Sequence, residues 1–273
     1  MIFLTEPGNS ISISQFAFGF ILSLLISVFS YKIKFLTAGG SLAAFILAFV
    51  IFSLGGWKWT IPILSFYIFS TLFSKIRENK NPSVNEFFEK SGSRDFYQVM
   101  ANGGLGGILV IINFIFPNTV WYLAYSGVIA SSCADTWATE FGTMTRHRTY
   151  DILRFRSVEQ GSSGGVSLTG FAGALSGALF ISLISVLWVD NNIIDFILMV
   201  TIAGFAAALV DSMLGASLQG QYQCKICGRI IDRREHCDSN TVKYRGIKFI
   251  NNDLVNLCAG LSGGIIVYCL TRI

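Results

Sequence analysis

The chain has 273 residues, of which 52% are hydrophobic and 13% charged, with a mean hydropathy of +0.59. That balance excludes an ordinary soluble domain and points to a membrane protein. The net charge of +4 is accompanied by no nucleic-acid motif, so no nucleic-acid partner is expected.

Eight apolar runs of spanning length follow in order: Ile11–Ser30, Phe35–Leu54, Trp59–Ser74, Tyr97–Phe116, Thr119–Phe141, Val166–Val189, Ile193–Ala216 and Leu254–Thr271. The third is short and contains Pro62. The first lacks a basic stretch before it and is long enough to remain as an anchor, so no cleavable signal peptide is expected. The predicted fold is all-α: a polytopic membrane helix bundle of about eight transmembrane helices, forming one integral-membrane domain over residues 1–273.

Three polar loops interrupt the spans, at about 75–96, 142–164 and 219–251. Three, five and seven spans precede them. These counts are all odd, so the loops share one side of the membrane. That side holds 18 of the 20 basic residues, with Lys58 and Arg272 opposite. The positive-inside bias makes the loops cytoplasmic and both termini external. Trp57 and Trp59 read as interface anchors at the outer end. Glycine pairs at small-xxx-small spacing, Gly103 with Gly107, Gly173 with Gly177 and Gly260 with Gly264, predict closely packed helices.

Polar residues enter four spans at their cytoplasmic ends, at helical spacing. Arg94, Gln98 and Asn102 form one stripe, and Asp135, Thr136, Thr139 and Glu140 a second. Asp211, Ser212 and Gln219 form a third, and Asn251, Asn252, Asp253 and Asn256 a fourth. Ionisable groups in spans are costly unless paired, hydrated or metal-bound, so the four stripes predict one shared polar site. Asp135, Asp211, Asn252, Asp253 and Asn256 are an oxygen set suited to Mg2+. The run Gln160–Gly165 precedes the sixth span. Backbone N–H groups of Gly161, Ser162, Ser163, Gly164 and Gly165, at a helix N-terminus, are candidates to hold phosphate. Arg94, Gln98, Asn102 and Gln219 are candidates for the same nucleotide or phosphate group, and Arg154 and Arg156 could add charge. Equally, these two arginines fit ordinary positive-inside bias.

Cys133, Cys258 and Cys269 lie in or near spans and read as small packing residues. Cys224, Cys227, His236 and Cys237 lie in the last loop. Their spacing suits a structural Zn2+, with free thiols as the alternative. His147, between Arg146 and Arg148, reads as an exposed loop residue.

Six motifs occur in order: Thr37–Ala44, Arg94–Gly104, Ala134–Gly142, Gly161–Ser167, Asp211–Gln219 and Asn251–Asn256. Together they resemble the family of domain of unknown function ninety-two, which includes transmembrane protein nineteen, over nearly the whole chain. The best understood plant and cyanobacterial members of that family are phytyl-phosphate kinases. The resemblance therefore implies a kinase that turns an isoprenyl monophosphate, phytyl- or geranylgeranyl-like, into the diphosphate. Asp135-Thr-x-Ala with Gly142 and the following Gly/Ser segment is also distantly similar to CTP-dependent polyprenol kinases and phosphatidate cytidylyltransferases. CTP and Mg2+ are the implied cofactors, and Asp135, Asp211, Asp253 and Glu140 the implied catalytic set. Glu140 fits a structural partner of an arginine as well. The alternatives are a CTP:lipid-phosphate cytidylyltransferase and a polar-lipid or ion transporter. Expected partners are the isoprenyl monophosphate, a nucleoside triphosphate and membrane lipid; a homodimer is left open.

Overall fold

The computed structural model describes residues 13–272. Ile11 and Ser12 of the first predicted span, and both chain ends, lie outside the described residues. Seven α-helices are present among them: α1 (Ile13–Lys32), α2 (Ala38–Lys80), α3 (Phe96–Ile115), α4 (Thr119–Met144), α5 (Leu168–Ser185), α6 (Ile193–Ser217) and α7 (Asn252–Leu270). Six are long and apolar enough to cross a membrane. The remaining one, α4, is the most polar in its second half.

Helix α2 accounts for two predicted spans. At 43 residues it would be roughly 64 Å long if straight, about twice the hydrocarbon thickness. It breaks at Gly56, whose backbone sits at φ 63° and ψ −157°, a region open essentially to glycine alone. The two arms then lie side by side. Leu47, before the break, and Ile63, after it, both crowd one point beside Gly103, at 2.5 and 3.2 Å from where a Cβ would stand. Farther out, the Lys75 Nζ reaches 5.3 Å from the Phe35 ring centroid. Seven helices thus make eight passes.

Helix α4 is the axis: α2, α3, α5, α6 and α7 all pack on it. Glycines allow the approach. A Cβ on Gly173 would stand 2.4 Å from the Trp137 carbonyl oxygen, and one on Gly177 2.8 Å from that of Cys133. Gly127 meets Gly263 across α4 and α7 in the same way, at 2.6 Å. The end away from the loops is filled by aromatics. Trp59 is buried there, its ring 5.2 Å from Tyr122 and 4.8 Å from Tyr125. It is a core residue, not the interface anchor expected from its position, because the hairpin at Gly56 turns it inward.

The three loops meet at the other end, as their parity requires. They carry short strands: β1 (Thr149–Asp151), β2 (Ser157–Val158), β3 (Gly165–Val166), β4 (Gln221–Gln223), β5 (Ile230–Ile231), β6 (Glu235–His236), β7 (Ser239–Asn240) and β8 (Val242–Arg245). Strands β2-β1-β3 and β5-β4-β8 form two antiparallel sheets, and β6-β7 a hairpin. Side chains cross-link the loops. Arg229 pairs with Glu86 at 2.6 Å and Arg245 with Asp151 at 3.1 Å. The Asp232 amide donates to the Phe87 carbonyl at 3.0 Å.

Gly56→Ala is expected to destabilise the protein by about 1–3 kcal/mol, since alanine cannot hold that backbone without strain. Gly39→Ala, on the same helix but with its nearest new contact at 3.5 Å, is expected to leave stability nearly unchanged. Melting curves in detergent compare the two. Equal melting temperatures would remove the hairpin break from its assigned position.

Candidate functional site

A cavity of about 260 Å³ opens at the loop end of the bundle. The four predicted stripes converge on it: Gln98 and Asn102 from α3, Asp135 and Glu140 from α4, Asp211 from α6, and Asn252, Asp253 and Asn256 from α7. Arg94, Gln219 and the Gly161–Gly165 run complete the predicted set. Arg154 and Arg156 do not line it; Arg154 pairs with Asp151 at 3.1 Å and donates to the Ala216 carbonyl at 3.1 Å.

The carboxylates differ in their partners. Asp135 and Asp211 lie close enough to act on each other, and neither has a lysine or arginine partner among the described residues. Asn256, with its amide turned to suit its neighbours, donates to Asp211 Oδ2 at 3.0 Å. Asp253 is held by Lys90, Nζ to Oδ2 2.5 Å, and the same ammonium reaches Asp95 at 2.8 Å. Glu140 is more committed still. Arg77 Nε donates to its Oε2 at 2.9 Å and Ser74 to its Oε1 at 2.6 Å, in a pair almost closed to solvent. Both its oxygens are occupied, which matches the alternative of a structural partner to an arginine.

Arg94 is placed by its backbone. Its amide donates to Phe35 and its carbonyl accepts from Thr37, each at 3.0 Å. Gly40 permits this, since a Cβ there would stand 2.2 Å from the Arg94 carbonyl oxygen. The Thr37 hydroxyl in turn caps the Gly40 amide at 3.1 Å. The Arg94 guanidinium makes no ion pair or side-chain hydrogen bond among the described residues. Gln98 and Asn102 are less free: Gln98 closes a capping box with Asp95, and Asn102 donates to the Gln98 carbonyl at 2.9 Å. The Asn102 Oδ1 is buried without a partner among the described residues.

The Gly/Ser loop docks on α6. Gly164, at φ 77°, lies so close to Ala216 that a Cβ would fall 2.4 Å from that side chain. Strand β3 separates the loop from α5, whose first turn is capped by Ser167. The expectation of a loop running straight into a helix N-terminus is corrected to a loop seated beside the Asp211 helix. Its Ser163 hydroxyl donates to Asp232 Oδ2 at 2.6 Å and accepts from Gln219 at 2.9 Å. Gln219 also donates to Asp232 at 3.0 Å, so its amide is spent on the loop.

Asp232, Lys90 and Arg77 are among the charged cavity residues absent from the predicted site, with Lys34, Lys75, Glu78 and Glu89. Asp232 lies among Arg229, Arg233 and Arg234 with Glu235 close by, so its surroundings in the sequence carried no signal. Burial pushes its carboxyl up to about 7, against the lowering effect of the Ser163 hydrogen bond.

Outside the cavity, Cys224, Cys227, His236 and Cys237 converge, one ligand atom of each lying within 4.8 Å of all the others. The Cys227 amide and the His236 ring hold the Cys224 thiol down at about 6.

The model of the integral membrane protein family DUF92 matches residues 21–264. The chain belongs to the DUF92 family. Among curated DUF92-like relatives, Protein PGR of Arabidopsis thaliana is 26% identical over 88% of this chain and 90% of its own length. An uncharacterised membrane protein of Methanocaldococcus jannaschii is 30% identical over 92% of this chain and 94% of its own. One from Synechocystis is 26% identical over 69% and 74%. No solved structure matches this DUF92 chain.

The raised Asp232 carboxyl has a consequence for stability. The folded protein binds this proton more tightly than the unfolded chain, whose aspartate titrates near 3.8. The stabilisation is complete below about pH 4 and is lost as pH rises through about 7. Asp232→Asn keeps an acceptor for Ser163 and Gln219 and cannot ionise. Its melting temperature is expected to exceed that of the wild type at about pH 8, by a margin that shrinks toward about pH 5. A margin independent of pH would remove the buried-carboxylate assignment.

Proposed function

We propose that this DUF92 protein is a membrane-embedded, metal-dependent phosphotransferase that converts an isoprenyl monophosphate to the diphosphate, with CTP as donor. One observation carries the reading. The unpaired acids Asp135 and Asp211 and the unpaired guanidinium of Arg94 line one cavity together with a Gly/Ser loop. Acids without basic partners suit a cation, and an arginine without an acid suits a phosphate.

The donor set fits Mg2+: it is all oxygen, and two carboxylates in contact repel unless a cation or a proton lies between them. Asp135, Asp211, Asn252 and Asn256 would hold the ion; Asp253, expected among the ligands, is engaged by Lys90. Mg2+, when bound, would neutralise and orient the donor phosphates. The amides of Gly161, Ser163 and Gly164 would bear on the same phosphates, those of Ser162 and Gly165 being spent on the Glu159 and Ser162 carbonyls, and Arg94 would draw the acceptor phosphate alongside them. That acceptor is already anionic, so no strong base is required; alignment and charge neutralisation carry the reaction. Glu140 shapes the wall through Arg77, and Asp253 holds Lys90 at the start of α7. The isoprenoid chain would lie among the helices.

The bias of basic residues toward the cavity end supports a cytoplasmic site and external termini. An epitope inserted in residues 232–239 is expected to be reached only from the cytoplasm, and a tag after Ile273 only from outside. The reverse result would put the cavity on the side without nucleotide.

Asp135→Asn and Asp211→Asn are expected to abolish turnover and the thermal stabilisation given by Mg2+–CTP, while the protein still accumulates folded in the membrane. Asparagine preserves the shape and removes the charge. With labelled CTP, transfer of the γ-label to lipid supports the kinase. Transfer of the α-label would replace it with the cytidylyltransferase. A wild type that gains no stability from any Mg2+–nucleotide, alongside two unimpaired variants in membranes, would end both readings.

A further inference from the structure

We propose that Cys224, Cys227, His236 and Cys237 bind one zinc ion, and that the His236 ligand, backed by Glu86, ties the last loop to the first beside the cavity. This inference concerns the architecture of the loop layer and is independent of the phosphotransferase reading.

The sequence alone left two difficulties: adjacent His and Cys ligands, and a single CxxC. The backbone resolves the first. Cys237 and Asp238 form the turn of the β6-β7 hairpin, both at positive φ (52° and 54°). This is an uncommon conformation for non-glycine residues. It folds Cys237 back beside the residue that precedes it. The His236 Nδ1 then lies 3.2 Å from Cys237 Sγ and 3.4 Å from Cys227 Sγ. The CxxC half is shaped as tightly. Gly228 turns at φ 75°, and its amide donates to the Cys224 carbonyl at 3.0 Å.

The dimensions fit. Zinc at about 2.3 Å from sulfur and about 2.0–2.1 Å from nitrogen, with tetrahedral angles, sets its ligand atoms about 3.5–3.8 Å apart. The four observed atoms fall within 4.8 Å of one another and need only small adjustments. Three thiols and an imidazole are a soft set that selects zinc over the hard cation suited to the oxygen-lined cavity. A disulfide would leave the third thiol and the imidazole without a role.

The far side of the imidazole supplies a second, independent observation. With Nδ1 turned to the sulfurs, Nε2 lies 4.0 Å from Glu86 Oε2, and Glu86 belongs to the first loop. That separation is too long for a direct hydrogen bond, and Arg229 already holds the same oxygen at 2.6 Å; a small shift of the ring onto zinc would bring the carboxylate into the support usual for a zinc-bound histidine. The metal would thereby close both ends of residues 228–235. That segment carries Arg229, which pairs with Glu86, and Arg233, which donates to the Asn85 and Phe88 carbonyls at 2.7 and 2.6 Å. It also carries Asp232 into the cavity wall.

The test is the metal content of the full-length protein purified in detergent. One zinc per chain is expected. Cys224→Ser with Cys227→Ser should lose it, whereas Cys258→Ser, an exposed cysteine outside the cluster, should keep it. Wild type without zinc, or the double variant with unchanged zinc, overturns the proposal. If the double variant fails to accumulate, the wild type still decides: stripped and reloaded with Co2+, it should show a sulfur-to-cobalt charge-transfer band, and its absence overturns the site. Glu86→Gln should keep the ion but bind it about 10–100-fold more weakly in chelator competition. It should also speed proteolysis within residues 228–235. Unchanged affinity and unchanged cleavage would overturn the tie between the loops.

Discussion

The bundle is organised by the cost of placing ionisable groups inside a membrane. Helix α4 carries Asp135 and Glu140 where lipid could not accept them, so it has to be enclosed on every side. Its neighbours can enclose it only if they come close, and the small residues permit that: Gly173 and Gly177 of α5, Gly204 of α6 and Gly263 of α7 all meet α4 where a Cβ would collide. In lipid no hydrophobic effect drives helices together, so this backbone-level packing has to supply the association. The polar half of α4 therefore fixes both the centre of the fold and the end at which the cavity opens.

At that end the charges sort themselves by partner. Arg77 neutralises Glu140 in a pair nearly closed to solvent. Removing either member would strand the other at a cost of about 3–5 kcal/mol, which makes the pair a fixed part of the wall. Lys90 bridges Asp95 at the start of α3 and Asp253 at the start of α7, so it binds two helix ends to the first loop. Burial works against the Asp151 carboxylate, but the amides of Arg154 and Leu153 and the guanidinium groups of Arg245 and Arg154 outweigh it. They hold its pKa below the ordinary aspartate value. Asp151 thereby joins the second loop to the third. These contacts make three sequence-distant loops into one layer.

Much of this was legible beforehand, for physical reasons. Spans are long runs constrained by bilayer thickness, so their limits agree with α3 to α7 within a few residues. The two passes made by α2 were legible as two separate apolar runs, Phe35–Leu54 and Trp59–Ser74, on either side of the break at Gly56. Stripes such as Asp135/Thr139 and Asn252/Asn256 are local in sequence, and helical spacing was enough to aim them at one level. The pairings were not legible. Nothing in the sequence says that Glu140 meets Arg77 rather than a phosphate, because 63 positions separate them. Lys90 and Arg77 were concealed in a basic loop whose charge already had a sufficient explanation in topology. Trp59 misled for a related reason: aromatic residues at a span end usually face the interface, and only the hairpin turns this one inward.

Once the internal pairs are set aside, the remaining charges of the cavity are unevenly distributed. Glu140 and Asp253 are neutralised by Arg77 and Lys90. Asp135 and Asp211 are left without basic partners, and Asp232 is left with hydroxyl and amide donors alone. Arg94 makes no ion pair among the described residues, although Glu140 and Glu78 act on it electrostatically. One cavity thus presents acids without basic partners on α4 and α6 and an arginine without an ion-pair partner just before α3, alongside Lys34, Lys75, Glu78 and Glu89. A simple anion would be repelled by the first group, and a bare cation by the second. On the proposed reading, a phosphate chain bearing its own cation would complement both, with the cation toward the acids and the phosphate toward the guanidinium. A small-residue loop alongside, with Gly164 pressed onto α6, leaves backbone rather than side chain on the wall such a ligand would approach. This complementarity depends on Arg77 and Lys90 remaining where they are: freed from Glu140 or Asp253, either would be drawn to the acid pair and would compete with the ligand for it.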